Sequence, residues 1–311
     1  MKKFVIVAPS YDDKIGGVIA QHKLCDMLNK LGYESFLHPY ESCYINSPAN
    51  FFMSSLRSFA SQFLSVCRKY IFKYHTKSTY TTPILKKFDP HKNGDFIVVY
   101  PEIVNGNPLG ATNVVRWFLH QPGFHTGIVC YGTGELYFRF NAGVKKFFID
   151  GSRTSDNYLK VVNYPLEYYN SSGCADKREG IAYCIRKGKK KDVGLDLENA
   201  ILIDGKDHKE VSGILKKVKT FISFDEYTAY SVFAILCGCE SIVIPSDNSK
   251  SESEWYPDEK DRYGIAYGFD KLEWAKSTAA YQVSRVENEM RRSEMSAKGF
   301  ADEAIKFFTK K

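Results

Sequence analysis

Two stretches of the chain share one pattern, and that pattern narrows the fold more than anything else in the sequence. The first is "KFVIVAP", a polar turn "SYDDKIGG", the helix-like "VIAQHKLCDMLNKLGY" and a second apolar run "ESFLHP". The other is "KTFIS", a turn around "FD", the helix-like "EYTAYSVFAILCG" and "ESIVIPS". An apolar run of strand length, a helix ended by glycine and another apolar run make a βαβ unit. Its crossover joins parallel strands. Leu24, Leu28 and Leu31 recur at helical spacing, and Gly32 ends the first helix.

The rest of the chain continues the alternation. "DFIVVYP" (95–101), "NVVRWFLH" (113–120) and "KKFFID" (145–150) are expected strands of the N-terminal half. Residues 151–176 have little periodicity and form a connector. After it, "GIAYC" and "NAILID" are expected strands and "HKEVSGILKKV" a helix, and a long polar helix over about 273–311 closes the chain. The expected fold class is α/β, with two doubly wound, Rossmann-like domains facing each other. Their expected limits are 1–175 and 176–311, the closing helix included in the second.

At 311 residues the chain is long enough for two ordinary domains. Its 44% apolar and 25% charged content is that of a soluble globular protein. The start "MKKFVIVAPS" is read as a buried strand rather than a signal peptide, because Asp12 and Asp13 follow so soon. No apolar run is long enough for a transmembrane helix. Eight cysteines lie in no metal-ligand or disulfide spacing, and Cys25, Cys67, Cys130, Cys184, Cys237 and Cys239 sit among apolar residues. They are expected to be reduced core thiols of a cytoplasmic protein, without zinc. The net charge of +7 favours anionic partners. Segment 51–75, "FFMSSLRSFASQFLSVCRKYIFKYH", is aromatic and basic. It either covers the N-terminal sheet or lies on an anionic membrane surface, and the two roles are compatible.

Four groups of residues could carry chemistry. Asp225, Tyr227, Thr228 and Ser231 surround a helix start at a sheet edge, which is either an ordinary capped helix or an anion site built from free N–H groups and the helix dipole. Asp225 is the expected cap. Arg186, Lys187, Lys190 and Lys191 leave a strand end in "CIRKGKKKD", as a solvated loop or as counter-charge for a diphosphate. Gly16 and Gly17 precede the first helix and let backbone approach a ligand. Glu102, Asn105, His120, His125 and Asp150 follow N-terminal strands, with Glu135 and two glycines in "YGTGELYF" read as a turn near them. A P-loop, a dinucleotide-binding glycine fingerprint, a nucleophile elbow and a metal-holding Asp-x-Asp pair are all missing from the sequence.

These residues resemble a GT-B glycosyltransferase, above all the bacterial surface-polysaccharide (O-antigen, capsule and lipopolysaccharide) enzymes. The resemblance rests on "VIVAPSYDDKIGGVIAQHKLCDMLNKLGYES", "VVYPEIVNGNPLGATNVVRWFLHQPG", "YGTGELYFRF" and "FDEYTAYSVFAILCGCESIVIPS", and covers most of residues 1–245. It implies an acceptor-holding N-terminal half and a C-terminal half that holds a nucleotide-diphosphate sugar, with no metal or other cofactor. It places Gly16, Gly17, Arg186, Lys190 or Lys191, Tyr227, Thr228 and Ser231 at the donor phosphates. Transfer would be to a hydroxyl of a glycan or lipid-linked glycan at the inner face of the cytoplasmic membrane. If transfer inverts the sugar centre, His120, Glu102 and Asp13 are the candidates for the base. The sequence departs from the retaining enzymes' pair of Glu residues seven apart, because Glu226 is followed at 233 by Phe. A nucleotide-sugar epimerase and a non-catalytic nucleotide-sugar or glycan binder are the alternatives. Nucleic acid is not an expected partner, since no known nucleic-acid module accompanies the Lys-rich loop.

Overall fold

A computed structural model describes residues 2–40, 74–89, 94–186, 188–189, 194, 197–246, 251–256 and 258–309. The chain separates into two compact units, Met1–Asn163 with Met290–Lys311, and Tyr164–Glu289.

The first unit holds strands β1 (Lys3–Ala8), β2 (Ser35–Pro39), β3 (Phe96–Pro101), β4 (Asn113–Phe118), β5 (Leu136–Arg139) and β6 (Arg153–Tyr158), with helix α1 (Gly16–Lys30) between β1 and β2. They form one sheet in the order β2-β1-β3-β4-β5-β6, and every pairing is parallel. Burial on both faces explains the unbroken apolar runs. Phe4, Ile6 and Ala8 enter one core with Leu24 and Leu28 of α1, while Val5 and Val7 enter the other with Tyr100, Val104 and Val114. Leu31 ends α1 and is 38% exposed.

The second unit holds β7 (Ile181–Cys184), β8 (Ile201–Leu202), β9 (Thr220–Ser223), β10 (Glu240–Val243) and β11 (Ile265–Tyr267), with α2 (His208–Leu215), α3 (Ala229–Leu236), α4 (Glu252–Trp255) and α5 (Leu272–Thr278). Its sheet runs β11-β10-β9-β7-β8, again all parallel. Counted within their own units, both sheets begin with the order 2-1-3-4-5. The architecture is α/β with two parallel sheets, a layout compatible with two Rossmann-like domains.

Several expectations change. Residues 145–150 form no strand: Phe147 packs beside Phe118 and Tyr137, and Phe148 is 73% exposed. The strand there is instead the polar edge β6, inside the expected connector. "ELYF", read as a turn, supplies the interior strand β5. The polar C-terminal helix is two helices, α5 and α6 (Tyr281–Thr309). The division falls at Asn163/Tyr164 rather than 175/176, and the last part of α6 belongs to the first unit. Phe300 explains that assignment, with its ring 5.5 Å from Phe4 and 5.0 Å from Phe138. Cys130 is exposed rather than a core thiol, whereas Cys25, Cys184, Cys237 and Cys239 are buried. Cys67 lies outside the described residues. No helix among the described residues is long and apolar enough to cross a membrane.

Candidate functional site

In an open parallel sheet, loops from neighbouring strands diverge where the strand order reverses, and a crevice opens at the carboxyl ends. The reversal lies between β1 and β3 in the first sheet and between β7 and β9 in the second. The loops leaving those four strands carry Asp13; Glu102; Arg186; and Asp225, Tyr227 and Thr228, while Gly16 and Gly17, expected before the first helix, are the first two residues of α1 itself.

In the second unit the loops after β7 and β9 are packed together. A side-chain carbon on Gly188 would lie 1.6 Å from the Phe224 carbonyl oxygen, so only glycine fits. Asp225 is not the helix cap. Its Oδ1 accepts the Tyr227 N–H at 3.2 Å, and Thr228 caps α3 by accepting the Tyr230 N–H at 3.4 Å. Helix α3 begins three residues further on than an Asp225 cap requires. Asp225 Oδ2 stands 3.9 Å from Arg186 Nε, and the Arg186 guanidinium lies 5.0 Å from the centre of the Tyr230 ring. Arg186, Asp225 and the start of α3 are thus brought together. Ser231 is buried in the first turn of α3, and its hydroxyl has no hydrogen-bond partner among the described residues. Lys187, Lys190 and Lys191 lie outside the described residues, as does segment 51–75 up to residue 73.

Beside this loop is an aromatic group that the sequence reading missed. Tyr227 is 53% exposed and stacks on Trp255 at 5.7 Å and 18°, with Tyr256 at 5.1 Å. Tyr267, at the end of β11, donates a hydrogen bond from its hydroxyl to the Glu226 carbonyl, and the Glu226 carboxylate accepts the Ser246 N–H at 2.6 Å. The peptide joining Glu226 to Tyr227 is therefore held at both its C=O and its N–H. Phe233 stacks on Tyr169 at 4.1 Å and 10°, so the position of the second Glu in retaining enzymes is a packed aromatic here.

Neither a scan against protein-family models nor a search among curated proteins finds a match to this chain. Its functional reading rests on the site itself.

In the first unit, helix α1 opens after Ile15, which offers no capping side chain, and its first turn holds no acidic residue. Gly17 lies beside the end of β4, since a side-chain carbon there would be 3.5 Å from Leu119 Cδ1. Glu102 follows β3 and is 6% exposed. Its Oε2 accepts the Leu119 N–H at 3.1 Å, and the His120 N–H also favours its ionised form. Burial outweighs these bonds and pushes the carboxyl up to about 7. Gly17, Glu102 and His120 are thereby gathered at one sheet edge. His120 lies beyond the end of β4 and is exposed, with its ring 4.1 Å from Phe124 and 5.1 Å from His125. Asp13 is exposed on the turn before α1, and Asp150 on the turn before β6. Asn105 is buried and accepts the Cys130 N–H at 2.7 Å.

Glu135 belongs to the framework. It is buried and pairs through two oxygens with Arg116, both bonds at 2.9 Å, while Arg116 also donates to the Val104 and Gly106 carbonyls. No group of three or more His, Cys, Asp or Glu residues that could hold a metal is found among the described residues.

Proposed function

We propose that the second unit binds the diphosphate of a nucleotide-activated sugar, and that the protein is a GT-B-type glycosyltransferase. In this reading its acceptor is a hydroxyl of a surface glycan or lipid-linked glycan, held by the first unit. The supporting observation is the placement of Arg186 with the start of α3, at the reversal point of the second sheet.

The chemistry fits that placement. As the bond between the sugar's anomeric carbon and the phosphate oxygen breaks, negative charge grows on the diphosphate. A guanidinium and helix N–H groups held in place stabilise that charge. The acceptor oxygen forms the new bond to the anomeric carbon and loses its proton. Glu102 is a fitting proton acceptor, because a carboxyl titrating at about 7 is balanced between its two forms at neutral pH. That role implies inversion at the sugar centre. The half-exposed Tyr227 ring, stacked on Trp255, suits the base of the nucleotide.

A second reading draws on Phe233. With an aromatic in place of a carboxylate, the second unit could bind a nucleotide sugar without turnover. Incubation with isotope-labelled nucleotide sugars, with and without oligosaccharide and polyprenyl-linked acceptors, separates the readings by mass spectrometry. Transfer predicts a gain of one sugar mass on the acceptor and release of the nucleoside diphosphate. Conversion of donor without acceptor would mean an epimerase, and binding without either product a binding protein.

A further inference from the structure

Arg186 has φ of 45°, and it is the non-glycine residue with positive φ among the described residues. The left-handed region crowds the side chain of any residue other than glycine, so surrounding contacts must hold it there. One carboxylate provides them. Asp204 Oδ2 accepts the N–H of Ile185 and the N–H of Arg186, each at 2.9 Å. Asp204 stands just beyond β8, the edge strand next to β7, and the Ile203 N–H bonded to the Tyr183 carbonyl at 2.9 Å fixes its approach. On the other side the Gly188 N–H closes the turn onto the Ile185 carbonyl at 2.8 Å.

The left-handed turn decides where the side chain goes. The guanidinium leaves toward α3, over the Tyr230 ring and beside Asp225. With an extended backbone at Arg186 the same side chain would depart in another direction, and its guanidinium would leave the start of α3. Asp204 is therefore tied to the anion site through the backbone of another residue. Its second oxygen, Oδ1, is buried with no hydrogen-bond partner among the described residues. The clamp uses one oxygen, which an asparagine can also supply.

We infer that Asp204 is a positioning residue: it holds Arg186 in the left-handed turn and so aims the guanidinium at the bound diphosphate. This rests on the reading of the second unit as a diphosphate site. Loss of a charge-assisted contact lowers affinity on the order of tenfold or more.

Calorimetric titration with ADP, GDP, CDP and UDP tests the inference, using the wild type, Asp204→Ala, Asp204→Asn, Asp204→Glu, Arg186→Ala and the double Asp204→Ala/Arg186→Ala variant, with circular dichroism on each. Asp204→Ala should weaken binding about as much as Arg186→Ala, and the double variant should bind no more weakly than Arg186→Ala alone. Asp204→Asn should bind like the wild type. If Asp204→Ala does not fold, Asp204→Glu decides: it keeps the charge but shifts the carboxylate by one methylene, and should bind more weakly. A folded Asp204→Ala or Asp204→Glu variant with wild-type affinity would overturn the positioning role, as would additive losses in the double variant. If the wild type binds none of the four, the diphosphate reading falls, and the inference with it.

Discussion

Leu119 donates its backbone N–H to Glu102 Oε2 across 3.1 Å, tying the end of β4 to a carboxyl group buried at the end of β3. Burial raises that carboxyl from 4.5 to about 7. A raised folded-state value means that the folded protein holds the proton more tightly than the unfolded chain. The resulting stability is complete below about pH 4.5 and is lost as pH rises through about 7. A shift of this size is worth roughly 3 kcal/mol. Urea unfolding of the wild type should show stability falling across that window relative to Glu102→Gln. In transfer assays the same substitution should cost at least a hundredfold in rate if Glu102 takes the acceptor proton. Parallel stability curves for the two proteins would contradict the buried-carboxyl account.

The Arg116–Glu135 pair yields a prediction about stability alone. Arg116 is fully buried, its guanidinium 5.0 Å from the Tyr100 ring centre and 4.4 Å from that of Tyr131. Arg116→Met leaves the Glu135 charge buried without its partner, and should cost about 3–5 kcal/mol in chemical denaturation. Arg116→Met combined with Glu135→Leu should recover much of that loss. Equal stability of the single variant and the wild type would show that the pair does not hold β4 to β5.

Tyr227 is expected to matter for binding and not for folding. It is half exposed on a backbone anchored by Asp225 and Tyr267, so Tyr227→Ala should leave the melting temperature within a few degrees. An aromatic contact is worth about 0.5–1.5 kcal/mol, so nucleoside diphosphate affinity should fall roughly two- to twelvefold. Unchanged affinity would remove the Tyr227 and Trp255 pair from the nucleotide site.

The parallel sheets were legible wherever strands are buried on both faces. β1, β3, β4, β9 and β10 read directly as apolar runs. Helix ends were legible at Gly32 and Gly238, whose φ values of 86° and 81° suit glycine. Edges were not. β6 is polar and mostly exposed because it is an edge strand, and the two residues of β8 are exposed as well. In residues 145–150 only Phe147 packs against the Phe118 and Tyr137 group while Phe148 is exposed, so the aromatic pair that reads as a strand makes none. Asp225 and Thr228 are both good cap types, and only the backbone decides between them.

The site was legible in part for the same reason. Arg186 stands out because it follows a strand, and Glu102 because it ends one. The Asp204 clamp depends on β8 lying beside β7, and the stacking of Tyr227 on Trp255 joins residues far apart in sequence. Neither relationship leaves a local trace in the chain. Nor does the return of α6 to the first unit, where Phe300 meets Phe4 from the opposite end of the sequence.

The measurement that tests the central claim most directly is the thermal unfolding of the wild type and Arg186→Ala against a panel of nucleoside diphosphates and nucleotide sugars. A ligand that binds only the folded state raises the melting temperature. The account predicts that at least one nucleoside diphosphate and its sugar conjugate stabilise the wild type, and that Arg186→Ala loses most of the shift while folding normally. No shift with any member of the panel, or an equal shift in the variant, would contradict a diphosphate site built around Arg186.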